Sequence, residues 1–134
     1  MFYEVTCTRT QINERGNDKE VKERFIVENA VFFAEAECKV LDYYNSQCEV
    51  VAIKQSNIKE FVNEDNGENN EIYLSTIVTL FVDDNGNEKE QKYVVGVFAN
   101  SIEDATNKTN YYMKQGLDDF FLVGVKKTNF ETIL

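Results

Sequence analysis

The stretch GNDKEVK, Gly16–Lys22, returns about seventy residues later as GNEKEQK, Gly86–Lys92. A charged stretch with Gly and Asn at its start reads as a hairpin tip, because those residues accept positive φ at little cost. The match extends in both directions. GNDKEVKERFIV (16–27) lies over GNEKEQKYVVGV (86–97), and NAVFFAEAE (29–37) over FANSIEDAT (98–106). AIKQSNIKEFV (52–62) then lies over GVKKTNFETIL (124–134). The same segments in the same order describe an internal duplication.

Each copy reads as strand, hairpin, strand, helix, strand. Tyr3, Val5 and Cys7 alternate with Glu4, Thr6 and Thr8, and Phe25 and Val27 alternate with Lys22, Arg24 and Ile26. The period then changes: Phe33, Ala36, Val40 and Tyr44 recur at helical spacing, as do Ile102, Ala105, Thr109 and Met113. Ser101 is placed to cap the second helix with Asp104 as its acidic partner, and Gly116 suits its end. Strands near 49–56 and 120–127 close the units, with Val51, Ile53, Val123 and Val125 inward and Ala52, Lys54, Gly124 and Lys126 outward.

The expected fold is therefore α+β: a duplicated β-β-α-β unit in one domain, 1–134. The repeats span 1–62 and 72–134, joined by an acidic connector, 63–71. The two helices are expected on one face of a mainly antiparallel sheet of about six strands, since one unit alone has too little surface to bury its apolar side.

Composition narrows function mainly by exclusion. The 134 residues contain no histidine, which removes the commonest general base, the Ser-His and Cys-His pairs and any Cys/His zinc site. Cys7, Cys38 and Cys48 show no C-x-x-C spacing and read as small buried thiols in a reducing compartment. VDDNGNE, Val82–Glu88, has acids and a Gly but not the spacing of a calcium loop, and a hairpin turn explains it. The pairs Asp118-Asp119 and Glu103-Asp104 stand at element ends, where solvated acids are ordinary. The expectation is a non-enzymatic protein without cofactor or metal. The start, Met1–Glu4, lacks the regions of a secretory signal and no apolar run spans a membrane, so a cytoplasmic protein is expected.

A net charge of −10 opposes indiscriminate binding to polyanions, but a sum does not locate charges. Lys22 matches Lys92 and Lys54 matches Lys126 across the repeat. Alternation places all four on the sheet side away from the helices, with Arg24 and Phe98 also outward. The acids gather at the hairpin tips and the connector. Lys22, Arg24, Lys54, Lys92, Phe98 and Lys126 form the candidate nucleic-acid surface, with the small residues Ala52 and Gly124 admitting a strand or base. A solvated outer face whose lysines limit aggregation is the plainer alternative.

FIVENAVFFAEAE followed by VVAIKQSNIKEFV resembles a family of small uncharacterised proteins encoded by Bacteroidetes and their phages. Its marks here are Phe33, Glu35, Ala36 and Glu37 at a helix start, then Ile53 and Lys54 at a strand end. The resemblance implies a phage or mobile-element setting in a bacterial cytoplasm and brings no activity or functional residues. The partner expected is single-stranded nucleic acid, in replication or recombination. The other reading is an acidic interaction module or nucleic-acid mimic that binds a host or phage protein. A second copy of the chain is a further partner to consider.

Overall fold

Alternation carries Tyr3, Val5 and Cys7 to one side of β1 (Tyr3–Ile12), and an antiparallel hairpin sets Phe25 and Val27 of β2 (Asp18–Val27) beside them. The computed structural model describes residues 1–12, 14–65, 70–116 and 118–134. After the hairpin come α1 (Phe33–Tyr43), β3 (Glu49–Gln55) and β4 (Ile58–Phe61). A second long hairpin, β5 (Glu71–Val82) and β6 (Glu88–Ala99), leads to α2 (Ile102–Lys114), β7 (Asp119–Lys127) and β8 (Phe130–Ile133).

The fold is α+β. Among the described residues the strands form two four-stranded mixed sheets, ordered β3-β1-β2-β8 and β4-β6-β5-β7, in place of the one sheet of about six strands expected. The difference comes from β4 and β8, which the sequence reading did not separate from the strands before them. Each is a parallel edge strand, β4 on β6 and β8 on β2. The chain divides into two compact units, Met1–Ser56 with Phe130–Leu134, and Asn57–Asn129. These units differ from the repeat boundaries 1–62 and 72–134 by the exchange of the two short strands. Of the connector 63–71, residues 66–69 lie outside the described residues.

The two units repeat one register. Tyr3 pairs with Val27 and Tyr73 with Val97, Thr8 with Lys22 and Val78 with Lys92, Glu4 with Lys54 and Leu74 with Lys126. In the first unit α1 covers the sheet with Ala36 and Val40 against Tyr3, Val5, Cys7, Phe25 and Val27. In the second, α2 sets Ala105 and Met113 against Tyr73, Ile77, Val95 and Val97. Burying this apolar area is the main stabilising term in each unit.

Both helix starts are fixed by side chains. Ser101 accepts a hydrogen bond from the Asp104 amide at 3.0 Å, and the Asp104 carboxylate accepts one from the Asn100 amide, as the capping reading expects. Phe32, at the start of α1, offers no cap; Glu35 instead accepts from the Val31 amide at 3.0 Å. At the tips Gly16 and Gly86 take φ of 75° and 81°, which explains their presence there. Asp83 accepts from the amides of Asn85 and Asn87, so VDDNGNE is an Asx-type turn.

Two valines expected in the core are outside it. Val51 is 48% exposed and Val123 58%. Each is the extra residue of a β-bulge: β3 pairs Thr6 with Ala52 and then Cys7 with Val50, while β7 pairs Thr76 with Gly124 and then Ile77 with Leu122. A bulge shifts the alternation by one, so Val50 and Leu122 pack against the cores instead. Ile53 and Val125 pack inward as expected, and Phe25, Val27, Val40, Val95 and Val97 are fully buried. Ile26, expected outward, is fully buried as well, beside the parallel strand β8.

Candidate functional site

In the first unit the sheet side away from α1 carries Lys22 and Arg24 on β2 and Lys54 on β3, as alternation predicts. Glu4 lies among them on β1. Its carboxylate stands 3.4 Å from both Arg24 Nη2 and Lys54 Nζ, and the Arg24 guanidinium rests 4.3 Å from the Phe130 ring centre. Arg24 and Lys54 are thus partly neutralised, and Lys22 stands exposed opposite Thr8.

The second unit has the same lysines without that acid. Leu74 occupies the register place of Glu4, and Lys126 opposes it; Lys92 opposes Val78. Both lysines are exposed, and neither forms an ion pair among the described residues. Lys127, one residue on, does pair, with Glu71 at 2.8 Å. The small residue Gly124 is open, with nothing near the place a Cβ would take.

Phe98 does not serve this face. It is only 6% exposed, stacked on Phe61 of β4 with ring centres 5.4 Å apart. Asn63 bonds both its backbone amide and its carbonyl, at 2.9 and 2.8 Å. A Cβ on Gly96 would meet the Phe61 ring at 2.4 Å, so Phe61 lies directly over that glycine. The aromatic residue that is free on this face is Phe121. It is 60% exposed and pairs with Val78, whose other neighbour is Lys92, so the row across three strands reads Lys92–Val78–Phe121. Alternation counted back from Val123 and Val125 turns Phe121 inward; the β7 bulge reverses it and sets Phe120 and Leu122 against the core instead. In the first unit the matching place, opposite Thr8, holds Glu49.

On the α1 side of the first sheet, Arg9, Glu23 and Tyr44 form a polar cluster. Glu23, almost fully buried, accepts from the Arg9 Nε–H and from the Tyr44 hydroxyl through its two oxygens. The guanidinium also sits 5.2 Å from the Tyr44 ring centre. Burial and the Glu23 charge push the Tyr44 phenol far above its usual range. Cys7 and Cys48 pack in the same unit, and burial followed by the neighbouring Cys48 pushes the Cys7 thiol up to about 11. All three cysteines are free thiols, but only Cys7 is buried as expected: Cys48 is half-buried, and Cys38 is exposed. Among the described residues no group of three or more Cys, Asp or Glu is placed to hold a metal ion.

Of the acid pairs, Asp104 serves the α2 cap and an ion pair with Lys108, which holds its carboxyl below the usual range. Asp118 borders a cavity on the α2 side of the second sheet with Glu60, Tyr93 and Tyr112. No helix is long and apolar enough to cross a membrane among the described residues. No curated protein and no solved structure matches the chain. A family model described as a domain of unknown function, DUF4494, matches residues 1–134, and the chain belongs to that uncharacterised family.

Proposed function

We propose that the protein is a non-enzymatic binding protein that takes single-stranded nucleic acid on the face of its second sheet opposite α2. The row Lys92–Val78–Phe121, with Lys126 further along the same face, is the observation that carries this reading. An exposed ring gives a base a stacking surface whatever its identity, and the lysines neutralise phosphates. Their rows are four residues apart along β5, about 13 Å. Glu90 and Asp119 flank Leu80 at the hairpin end of this face, so a polyanion would run from Phe121 toward Lys126. The bacterial cytoplasm, and the replication or recombination of a phage or mobile element, is the setting proposed with it.

Fluorescence anisotropy of a labelled oligonucleotide tests the reading. Affinity should fall with salt, and Phe121→Ala should cost about 1–3 kcal/mol of binding if one base stacks there. An affinity that Phe121→Ala leaves unchanged rejects the proposed face.

One observation favours a second reading, an acidic protein-interaction module. Ile12 and Val82, 69% and 65% exposed, stand at the same place in the two hairpins and pair with Asp18 and Glu88. Exposed apolar residues beside acids suit a protein partner with a basic, apolar groove. That reading predicts partner capture that Val82→Ser weakens and Lys92→Glu does not.

A further inference from the structure

The two units place different chemistry at one register position. Arg9 on β1 corresponds to Thr79 on β5, and Glu23 to Tyr93, because the two hairpins share their register. In the first unit the Arg9 side chain supplies a cation that Glu23 neutralises and the Tyr44 ring faces. Thr79 supplies none. A cavity of about 330 Å³ lies beside it, lined by Thr79, Tyr93, Tyr112, Met113, Glu60 and Asp118 among others, whereas the cavity beside Arg9 in the first unit has no aromatic wall.

Its lining suits a positive guest. Two tyrosine rings and a thioether give polarizable walls, and two carboxylates give a negative field. Glu60 accepts from the Tyr112 hydroxyl at 2.7 Å, which fixes that carboxylate at the wall. The Tyr93 hydroxyl is turned to Met113 Sδ at 3.6 Å. Lys59, an exposed side chain, already rests its ammonium 4.3 Å from the Tyr93 ring centre, so that ring accepts a cation. Burial and the charges of Glu60 and Asp118 push the Tyr93 phenol above its ordinary value, as expected of a site that disfavours further negative charge.

We infer that the cavity between Tyr93, Tyr112, Glu60 and Asp118 binds a small aliphatic ammonium ion, taking in the second unit the part that the Arg9 side chain plays in the first. The site is on the α2 side of the sheet and is independent of the nucleic-acid face. A cavity of this size holds a short diamine with room for water. Two carboxylates on its wall favour a dication over a monocation.

Putrescine, with butanediol as its uncharged counterpart, tests this on the full chain. The protein has two methionines, so a methyl-labelled sample gives one signal from Met113 and one from Met1. Putrescine at constant ionic strength should shift the Met113 methyl saturably and leave Met1 still, and butanediol should do neither. Glu60→Gln should weaken binding about tenfold or more. Thr79→Arg should abolish it by setting the chain's own cation at the cavity wall, as Arg9 sets one against Tyr44 and Glu23 in the first unit. Should Thr79→Arg unfold, as judged by circular dichroism, the solvent-exposed Asp118→Asn takes its place and should weaken binding. No Met113 shift with putrescine, an equal shift with butanediol, or undiminished binding in folded Glu60→Gln overturns the inference.

Discussion

Ser75 Oγ lies 2.9 Å from Thr109 Oγ1, a hydrogen bond between β5 and α2 in which both side chains are fully buried. Thr109 also donates to the Ala105 carbonyl at 2.8 Å, so Ser75 is the donor to Thr109. The same register place in the first unit holds Val5, and the same helical place Val40, both fully buried. One unit joins helix to sheet by a polar pair and the other by an apolar one.

Thr109→Val should therefore destabilise by about 1–3 kcal/mol, because it strands the buried Ser75 hydroxyl. Ser75→Val should cost less, since Thr109 keeps its bond to Ala105. The double change to valine copies the first unit and should sit near the wild type. Urea melts of the four proteins check this; a double variant weaker than Thr109→Val alone would contradict it.

The bulges give the second prediction. Val51→Asp and Val123→Asp should each change stability by no more than about 0.5 kcal/mol, because both side chains already meet water. Val27→Asp, at a fully buried place, should prevent folding or nearly so. Thermal melts decide it, and a large loss in Val51→Asp would show that β3 is in the other register.

These valines also mark where sequence reading stops. Period-two alternation placed Val5, Phe25, Val27, Val95 and Val97 correctly, because their strands are regular. It failed at Val51 and Val123 because one inserted residue puts the faces on its two sides out of step, and nothing in VVAIK or FLVGVKK announces it. The pairing of Lys22 with Lys92 and Lys54 with Lys126 was legible for the same reason that the hairpins were. Phe98 was misread because its cover, Phe61, comes from β4, a four-residue strand whose partner lies over thirty residues away in sequence. Such a parallel edge pairing leaves no local pattern. The Arg9–Glu23–Tyr44 cluster was missed as well, since three residues on three elements meet only when the sheet and helix are in place.

The Cys7 thiol gives a pH prediction. Its ordinary value of 9.0 is raised to about 11 by burial, then by Cys48 and Glu23. The folded state thus keeps a proton that the unfolded chain gives up. The stability this contributes is intact below about pH 9 and lost as pH climbs from there toward about 11. The largest slope from one such group is about 1.4 kcal/mol per pH unit. Tyr44, Tyr93 and Tyr112 are raised too and lose stability in the same direction at higher pH. Urea melts across this window should show a shallower fall in Cys7→Ala than in the wild type. Equal slopes would mean that Cys7 ionises as freely folded as unfolded.

The uncompensated lysines of the second sheet carry the central claim, and oligonucleotide binding over a salt series with Lys92→Glu/Lys126→Glu measures them directly. If the strand lies on this face, the double variant should lose most affinity. Its dependence of log K on log salt should be shallower by about 0.7 for each phosphate contact removed. Lys54→Glu, whose amine already stands 3.4 Å from Glu4, should lose less than Lys126→Glu. All the variants should melt like the wild type, since the changed side chains are exposed. No binding by the wild type in low salt, or a double variant that binds as the wild type does, would contradict the claim.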